Sequence, residues 1–313
     1  MSIYPPIEPH DSGLLEVSDG NSIYWEISGN PQGKPALVVH GGPGLGSGTG
    51  SRKYFDPEHY LLVIFDQRGC GRSTPHASDP NTDMNFNTTH HLIEDMERLR
   101  EHLGISHWLL FGGSWGSTLI LAYAERYPGR VSEIVIASVT MSRPSEIDWL
   151  YRGVSRFLPQ QWERFRAFVN NDDIVGGYAR LMENTDVEVR QQAASEWVRW
   201  EDAVIEHESN GSPGMYQARE GEARLAFVRI CAHYFSNDVW LGEDELLRSA
   251  HRLNGIPGVL IHGRLDLGTP LVTAWQLKQA WNSAELVIVN GAGHTGNETM
   301  RDELLGAIER FKK

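Results

Sequence analysis

The chain has 313 residues, 40% apolar and 22% charged, which is enough to bury a core and excludes a disordered polymer. A formal net charge of −13 and a pI near 5.4 disfavour nucleic acid and anionic membrane surfaces as partners. Two cysteines, Cys70 and Cys231, are too few for a disulfide framework, and no Cys/His spacing suits a metal.

The first residues, MSIYPPIEPHDSG, have neither the basic start nor the apolar core of a signal peptide, and no apolar run is long enough for a span. The expectation is a soluble, cytoplasmic protein. Gly13–Gly29 then holds two short β-prone runs around Asp19-Gly20-Asn21, a hairpin signal. Ala36–Val39 is a buried strand that breaks into the glycine loop HGGPG, and Leu61–Phe65 is a strand followed by the polar turn DQRGCGRS. Leu92, Met96, Leu99 and Leu103 give a helical period ended by Gly104. His107–Gly113 is the next strand, STLILAYAERYP a helix stopped at Pro128, and Val131–Val139 a further strand. From about Arg143 to Leu247 the strand runs vanish, and helical segments rich in Trp, Arg and Glu replace them. Alternation resumes with a strand and loop at Pro257–Asp266, a helix, a strand and loop at Ala284–His294, and a last helix at about Asn297–Phe311. The predicted fold class is α/β, with a mostly parallel sheet covered on both faces. Its core comprises residues 1–142 and 248–313, interrupted by a helical cap at 143–247.

Chemistry enters at LLFGGSWGST, where Gly112-x-Ser114-x-Gly116 has the form of a nucleophile elbow. A serine hydroxyl is a weak nucleophile and needs a base, and the base needs a group that fixes its tautomer. Asp266 and His294 follow in the order Ser, Asp, His, each just past a strand. That is where ligands meet an open parallel sheet. Asp66 is a poorer acid because it precedes the serine. His40, His90, His91, His102 and His262 lie before a glycine loop, on a helix or inside a strand. The HGGPG loop supplies closely approaching backbone N–H groups. Gly42 and Trp115, the residue after the serine, are the expected oxyanion donors, with Gly41 beside the substrate.

Taken together, HGGPG, DQRGCGRS, GGSWGSTLILAYAERYP, GRLD and GAGH closely resemble the prolyl aminopeptidases, or proline iminopeptidases, of the α/β-hydrolase fold. The resemblance runs over nearly the whole chain and includes EIDWLYRGVSRFLPQQWERF, WVRWE and RICAHYF in the insertion. It implies a serine exopeptidase that removes an N-terminal residue, typically proline, from small peptides, amides or arylamides. It implies no metal and no cofactor, and a cap whose carboxylates bind the substrate's free amine.

Trp197, Trp200, Glu201 and Val204 share one helix face, which sets a carboxylate on an aromatic stripe. A buried carboxylate is costly unless it meets a cation. Glu201 is therefore read as an amine contact, the alternatives being an ion pair with Arg199 or near Arg229, or a side chain that snorkels to water. The resemblance implies a second glutamate within RIENHYF, whereas this chain reads RICAHYF with Cys231 at that place. Losing one charged contact costs about 1.5–3 kcal/mol. The departure keeps an amino-acid amidase or esterase open as the alternative. Cys231 is read as a small apolar group lining the cap between Phe227 and Phe235, and Cys70 as structural. Trp149 and Tyr151 are read as pocket lining, with cap core as the alternative. Leu265 and Gly268 replace an aromatic residue and a cysteine common in the family.

Overall fold

The computed structural model describes residues 3–169, 172–206 and 214–312. In chain order it contains β1 (Asp11–Glu16), β2 (Ser22–Gly29), β3 (Lys34–Val39), β4 (Tyr60–Phe65), α1 (Thr89–His102), β5 (Trp108–Ser114), α2 (Trp115–Arg126) and β6 (Val131–Val139). Then come α3 (Pro144–Tyr151), α4 (Pro159–Val169), α5 (Ile174–Met182), α6 (Val187–Glu206), α7 (Gly221–Phe235) and α8 (Glu245–Ser249). The chain closes with β7 (Gly258–Gly263), α9 (Val272–Ala280), β8 (Ala284–Val289) and α10 (Glu298–Arg310).

Among the described residues one eight-stranded sheet runs in the order β1-β2-β4-β3-β5-β6-β7-β8. The β1–β2 and β2–β4 pairs are antiparallel and the rest parallel. The hairpin signal is realised by two consecutive left-handed residues, Asp19 at φ 60° and Gly20 at φ 73°. That turn geometry matches the twist of the flanking strands. In β3, Leu37 and Val39 pack into one apolar layer, while Ala36 and Val38 pack into the other. The two-residue period sends alternate side chains to opposite faces, so a strand covered on both must be apolar throughout. One of these layers continues without a break into the helices between β6 and β7, through Tyr151, Phe165, Trp197 and Trp200. Burying a side chain of that size contributes roughly 1.5–3 kcal/mol, so the cap helices and the sheet stabilise each other.

The helix after the serine starts earlier than its apolar period suggests. No loop separates β5 from α2, because Ser114 is both the last strand residue and the N-cap.

At the far end of α2, Glu125 is 5% exposed and its Oε1 has no hydrogen-bond partner. Burial pushes its pKa up to about 8, against a pull from Arg252 and with help from Glu245. A raised carboxyl pKa means that the folded state holds the proton more tightly than the unfolded chain does. Stability is therefore lost as pH rises from the ordinary carboxylate range to about 8. Glu125→Gln is expected to raise Tm at pH 8 by about 5 °C and to change it less at pH 5. Thermal unfolding at both pH values checks this, and an unchanged or lower Tm at pH 8 would contradict it.

Candidate active site

The strand ends of β3, β5, β7 and β8 converge on one pocket. Gly42, Ser114, Trp115, Thr140, Ser142, Glu146, Glu201, Gly268, Thr269 and His294 line it, together with Ile147, Leu150, Val204, Ile205, Tyr216, Phe227 and Phe235.

Ser114 sits at φ 55°, ψ −134°, a left-handed conformation that side chains other than glycine rarely adopt. The flanking glycines are required by close packing. A Cβ on Gly112 would lie 2.6 Å from the Val39 carbonyl oxygen, and one on Gly116 would lie 2.4 Å from the same atom. The elbow is therefore pressed against the end of β3, where the HGGPG loop begins. Trp115 is the first residue of α2. Its N–H belongs to the helix end whose donors lack intrahelical acceptors, where the macrodipole favours negative charge.

His294 and Asp266 meet across two loops. His294 Nδ1 lies 3.0 Å from Asp266 Oδ2. The other Asp266 oxygen accepts the Thr269 N–H at 2.7 Å, and the Thr269 hydroxyl donates to Oδ2 at 2.6 Å. Burial works against the Asp266 charge, but the His294 imidazole and the donors around it outweigh burial and hold its carboxyl below the usual range. The loops are joined by Leu265 N–H to the Ala292 carbonyl at 2.9 Å, and the Ser138 hydroxyl donates to the His294 carbonyl at 2.7 Å. Gly263 permits this approach, since a Cβ there would lie 2.4 Å from the Ala292 oxygen.

The rejected candidates have other work. Asp66 accepts from Ser47 N–H at 2.7 Å and from Arg72 Nε at 2.8 Å, so it ties two loops together. His262 lies wholly inside β7, with Nδ1 accepting from Val139 N–H at 3.0 Å and Nε2 donating to the Thr269 carbonyl at 2.8 Å. That pattern needs the neutral ring, and burial lowers the His262 pKa accordingly.

Glu201 enters the pocket from α6. The Tyr151 hydroxyl donates to its Oε1 at 2.5 Å. The arginine alternative is not realised, because Arg199 pairs with Glu196 and Arg229 with Glu183. Burial pushes the Glu201 pKa up to about 7, while the Tyr151 hydroxyl and the His294 ring pull it down. A carboxylate left this costly is poised to meet a cation.

Four more residues are expected to contact substrate, and one of them, Gly41, abuts the elbow, where a Cβ would lie 3.5 Å from Ser114 Cβ. Gly41, Trp149, Tyr151 and Cys231 are absent from the described pocket lining. On α3 the pocket face is carried by Ile147 and Leu150, so the expected pair is out of phase with it. Trp149 donates its indole N–H to the Leu267 carbonyl at 2.8 Å and so braces the loop of Asp266. Tyr151 is buried and reaches the pocket only through Glu201. Cys231 donates its S–H to the Pro43 carbonyl at 3.1 Å, and burial raises its thiol pKa. Phe227 and Phe235, one turn to either side, do line the pocket.

The sequence reading missed Glu146 and Thr269. Glu146 brings a second carboxylate to the lining, but its oxygens already accept from Thr273 Oγ1 at 2.6 Å and Arg143 N–H at 3.0 Å. Thr269 was signalled by its place three residues after an aspartate, the spacing of a side-chain-capped turn. Among the described residues no three His, Cys, Asp or Glu side chains cluster as metal ligands.

The fold and this pocket define an α/β hydrolase. Residues 34–299 match the model of the α/β hydrolase fold family. A solved proline iminopeptidase-related protein from Thermus thermophilus superposes with a TM-score of 0.60 at 22% identity, covering 96% of this chain and 95% of that one, and so shares its fold. A "probable proline iminopeptidase" of Streptomyces coelicolor is 47% identical over 321 residues, 100% of this chain and 98% of its own. The proline iminopeptidase of Arabidopsis thaliana is 42% identical over 318 residues, 99% of this chain and 82% of its own. The chain belongs to the proline iminopeptidase family.

Proposed function

We propose that this chain is a serine exopeptidase that removes N-terminal proline, or a small residue, from short peptides, amides and arylamides. The observation that carries this is the Glu201 carboxylate in the pocket of Ser114 and His294, at full-length identity of 47% to a probable proline iminopeptidase. In this reading Ser114 Oγ attacks the substrate carbonyl while His294 takes its proton, and Asp266 holds the imidazole and stabilises its charged form. The N–H groups of Gly42 and Trp115 receive the oxyanion. His294 then protonates the departing amine, and water repeats the steps on the acyl-enzyme. Glu201 holds the substrate's protonated amine, and the apolar walls of Phe227, Phe235, Val204 and Ile205 suit a pyrrolidine ring or a small side chain.

A cytoplasmic setting is part of this reading. Two unpaired buried thiols, Cys70 and Cys231, fit a reducing compartment. No described helix is long and apolar enough to cross a membrane.

One observation favours a second reading, an amino-acid amidase or esterase. Cys231 supplies no second charge for the amine and faces Pro43 instead. A matched panel separates the two: proline arylamide, N-acetylproline arylamide, prolinamide and a simple acetate ester. The free-amine arylamide is expected to win, with N-acetylation lowering kcat/KM by about 100-fold or more. Equal turnover of the blocked amide or the ester would favour the second reading.

A further inference from the structure

The HGGPG loop is held at both ends, by different parts of the molecule. At its start, Gln67 Nε2 donates to the His40 carbonyl at 2.8 Å and Gln67 N–H donates to His40 Nε2 at 3.0 Å. The other side-chain atom of Gln67 accepts from the Trp115 indole at 2.9 Å, so the sheet side is tied to the elbow. At its far end the loop is held by the cap. The Pro43 carbonyl accepts from Cys231 at 3.1 Å, and the Leu45 carbonyl accepts from Arg219 Nη1 at 2.9 Å. Between them Gly44 is pressed on α7, where a Cβ would lie 2.9 Å from Ile230.

Gly42 lies between these two anchorages. Its φ of 118° is open only to glycine, and a Cβ would come within 2.7 Å of the Gly44 nitrogen. The loop's own closing bond, from Leu45 N–H to the Gly41 carbonyl, is long at 3.4 Å. A tightly curled segment with so weak an internal tie takes its shape from what it packs against. No carboxylate among the described residues pairs with Arg219, which is partly buried and crosses the Phe227 ring at 5.8 Å. The geometry therefore directs this guanidinium at a loop carbonyl.

We propose that the cap sets the oxyanion hole: Arg219 and Cys231 are positioning residues that clamp residues 43–45 and thereby aim the Gly42 N–H. This rests on the reading of Gly42 as an oxyanion donor. The cap then contributes to the transition state as well as to substrate binding. In place of the second amine-binding glutamate of the family pattern, this chain has a residue that steadies the catalytic loop.

The test uses the full-length enzyme and the variants Arg219→Met, Cys231→Ala, their double, and the conservative Cys231→Ser and Arg219→Lys. Active sites are counted with a fluorophosphonate, so loss of folded enzyme is removed from kcat. Arg219→Met is expected to lower kcat about tenfold and Cys231→Ala about threefold, the double more than either, with KM within about twofold. The affinity of the boronic acid analogue of proline, a tetrahedral mimic, should fall in parallel with kcat, while that of proline itself holds. Cys231→Ser and Arg219→Lys should recover most of the loss, since each keeps a donor. Variants that retain parental kcat and boronate affinity would overturn the clamp and leave the oxyanion reading standing. A parent enzyme that binds the boronate no better than proline would overturn the oxyanion reading itself.

Discussion

Ser114→Ala is expected to abolish amide hydrolysis, lowering kcat/KM on proline arylamide by about 10⁴-fold or more. The loss is chemical. Without Oγ no acyl-enzyme forms, and the remaining donors stabilise a transition state that only water can reach. The fold should survive, because the Ser114 side chain makes no capping hydrogen bond to α2 and alanine removes only a hydroxyl. Circular dichroism and thermal unfolding check the fold, and initial rates check the chemistry. A well-folded variant with comparable activity would remove Ser114 from the role of nucleophile.

Glu201→Gln should raise KM for free-amine substrates about 10- to 100-fold, the equivalent of one charge-assisted contact. Esters without an amine should change little. The pH profile carries a second signature. Glu201 titrates near pH 7 in the empty pocket, raised chiefly by burial, so it is neutral below that pH and unable to pair with an ammonium. Parental kcat/KM on free-amine arylamides should therefore rise through pH 7 more steeply than on esters. Steps that involve Ser114 and His294 are common to both substrates, and the substrate amine titrates alike with parent and variant, so the part of the difference that glutamine removes belongs to Glu201. Glutamine should flatten that difference. Equal losses on both substrate classes would mean that Glu201 supports the pocket through Tyr151 and does not hold the amine.

The elements of the sheet were legible because a strand covered on both faces must be apolar throughout. β4 announces itself this way, β3, β5, β6, β7 and β8 do so through shorter apolar runs, and the run of helices from α3 to α8 shows as the absence of such runs between Val139 and Gly258. The candidates Ser114, Asp266 and His294 were legible because the elbow needs small neighbours and because Asp266 and His294 each follow a strand. The pocket wall was less legible. On α3 the helical period allows Trp149 and Tyr151 as readily as Ile147 and Leu150, and only the docking of the helix selects the latter. On α7 the spacing of Phe227, Cys231 and Phe235 is the same at each step. All three lie on one face of the helix, and the short middle side chain is held by the Pro43 carbonyl while the two longer aromatic rings reach the pocket.

Composition, periodicity and glycine placement, which are local properties of the chain, determined the α/β architecture, the elbow and the order of the catalytic candidates. Contacts between segments far apart in sequence decided the rest. Tyr151 meets Glu201 across 50 residues, Arg219 meets Leu45 across 174, and Cys231 meets Pro43 across 188. A side chain's partner depends on how separate elements dock. No pattern within a single element encodes that docking, so the partners of Glu201 and Cys231 are fixed only by how the helices between β6 and β7 pack against the rest of the chain.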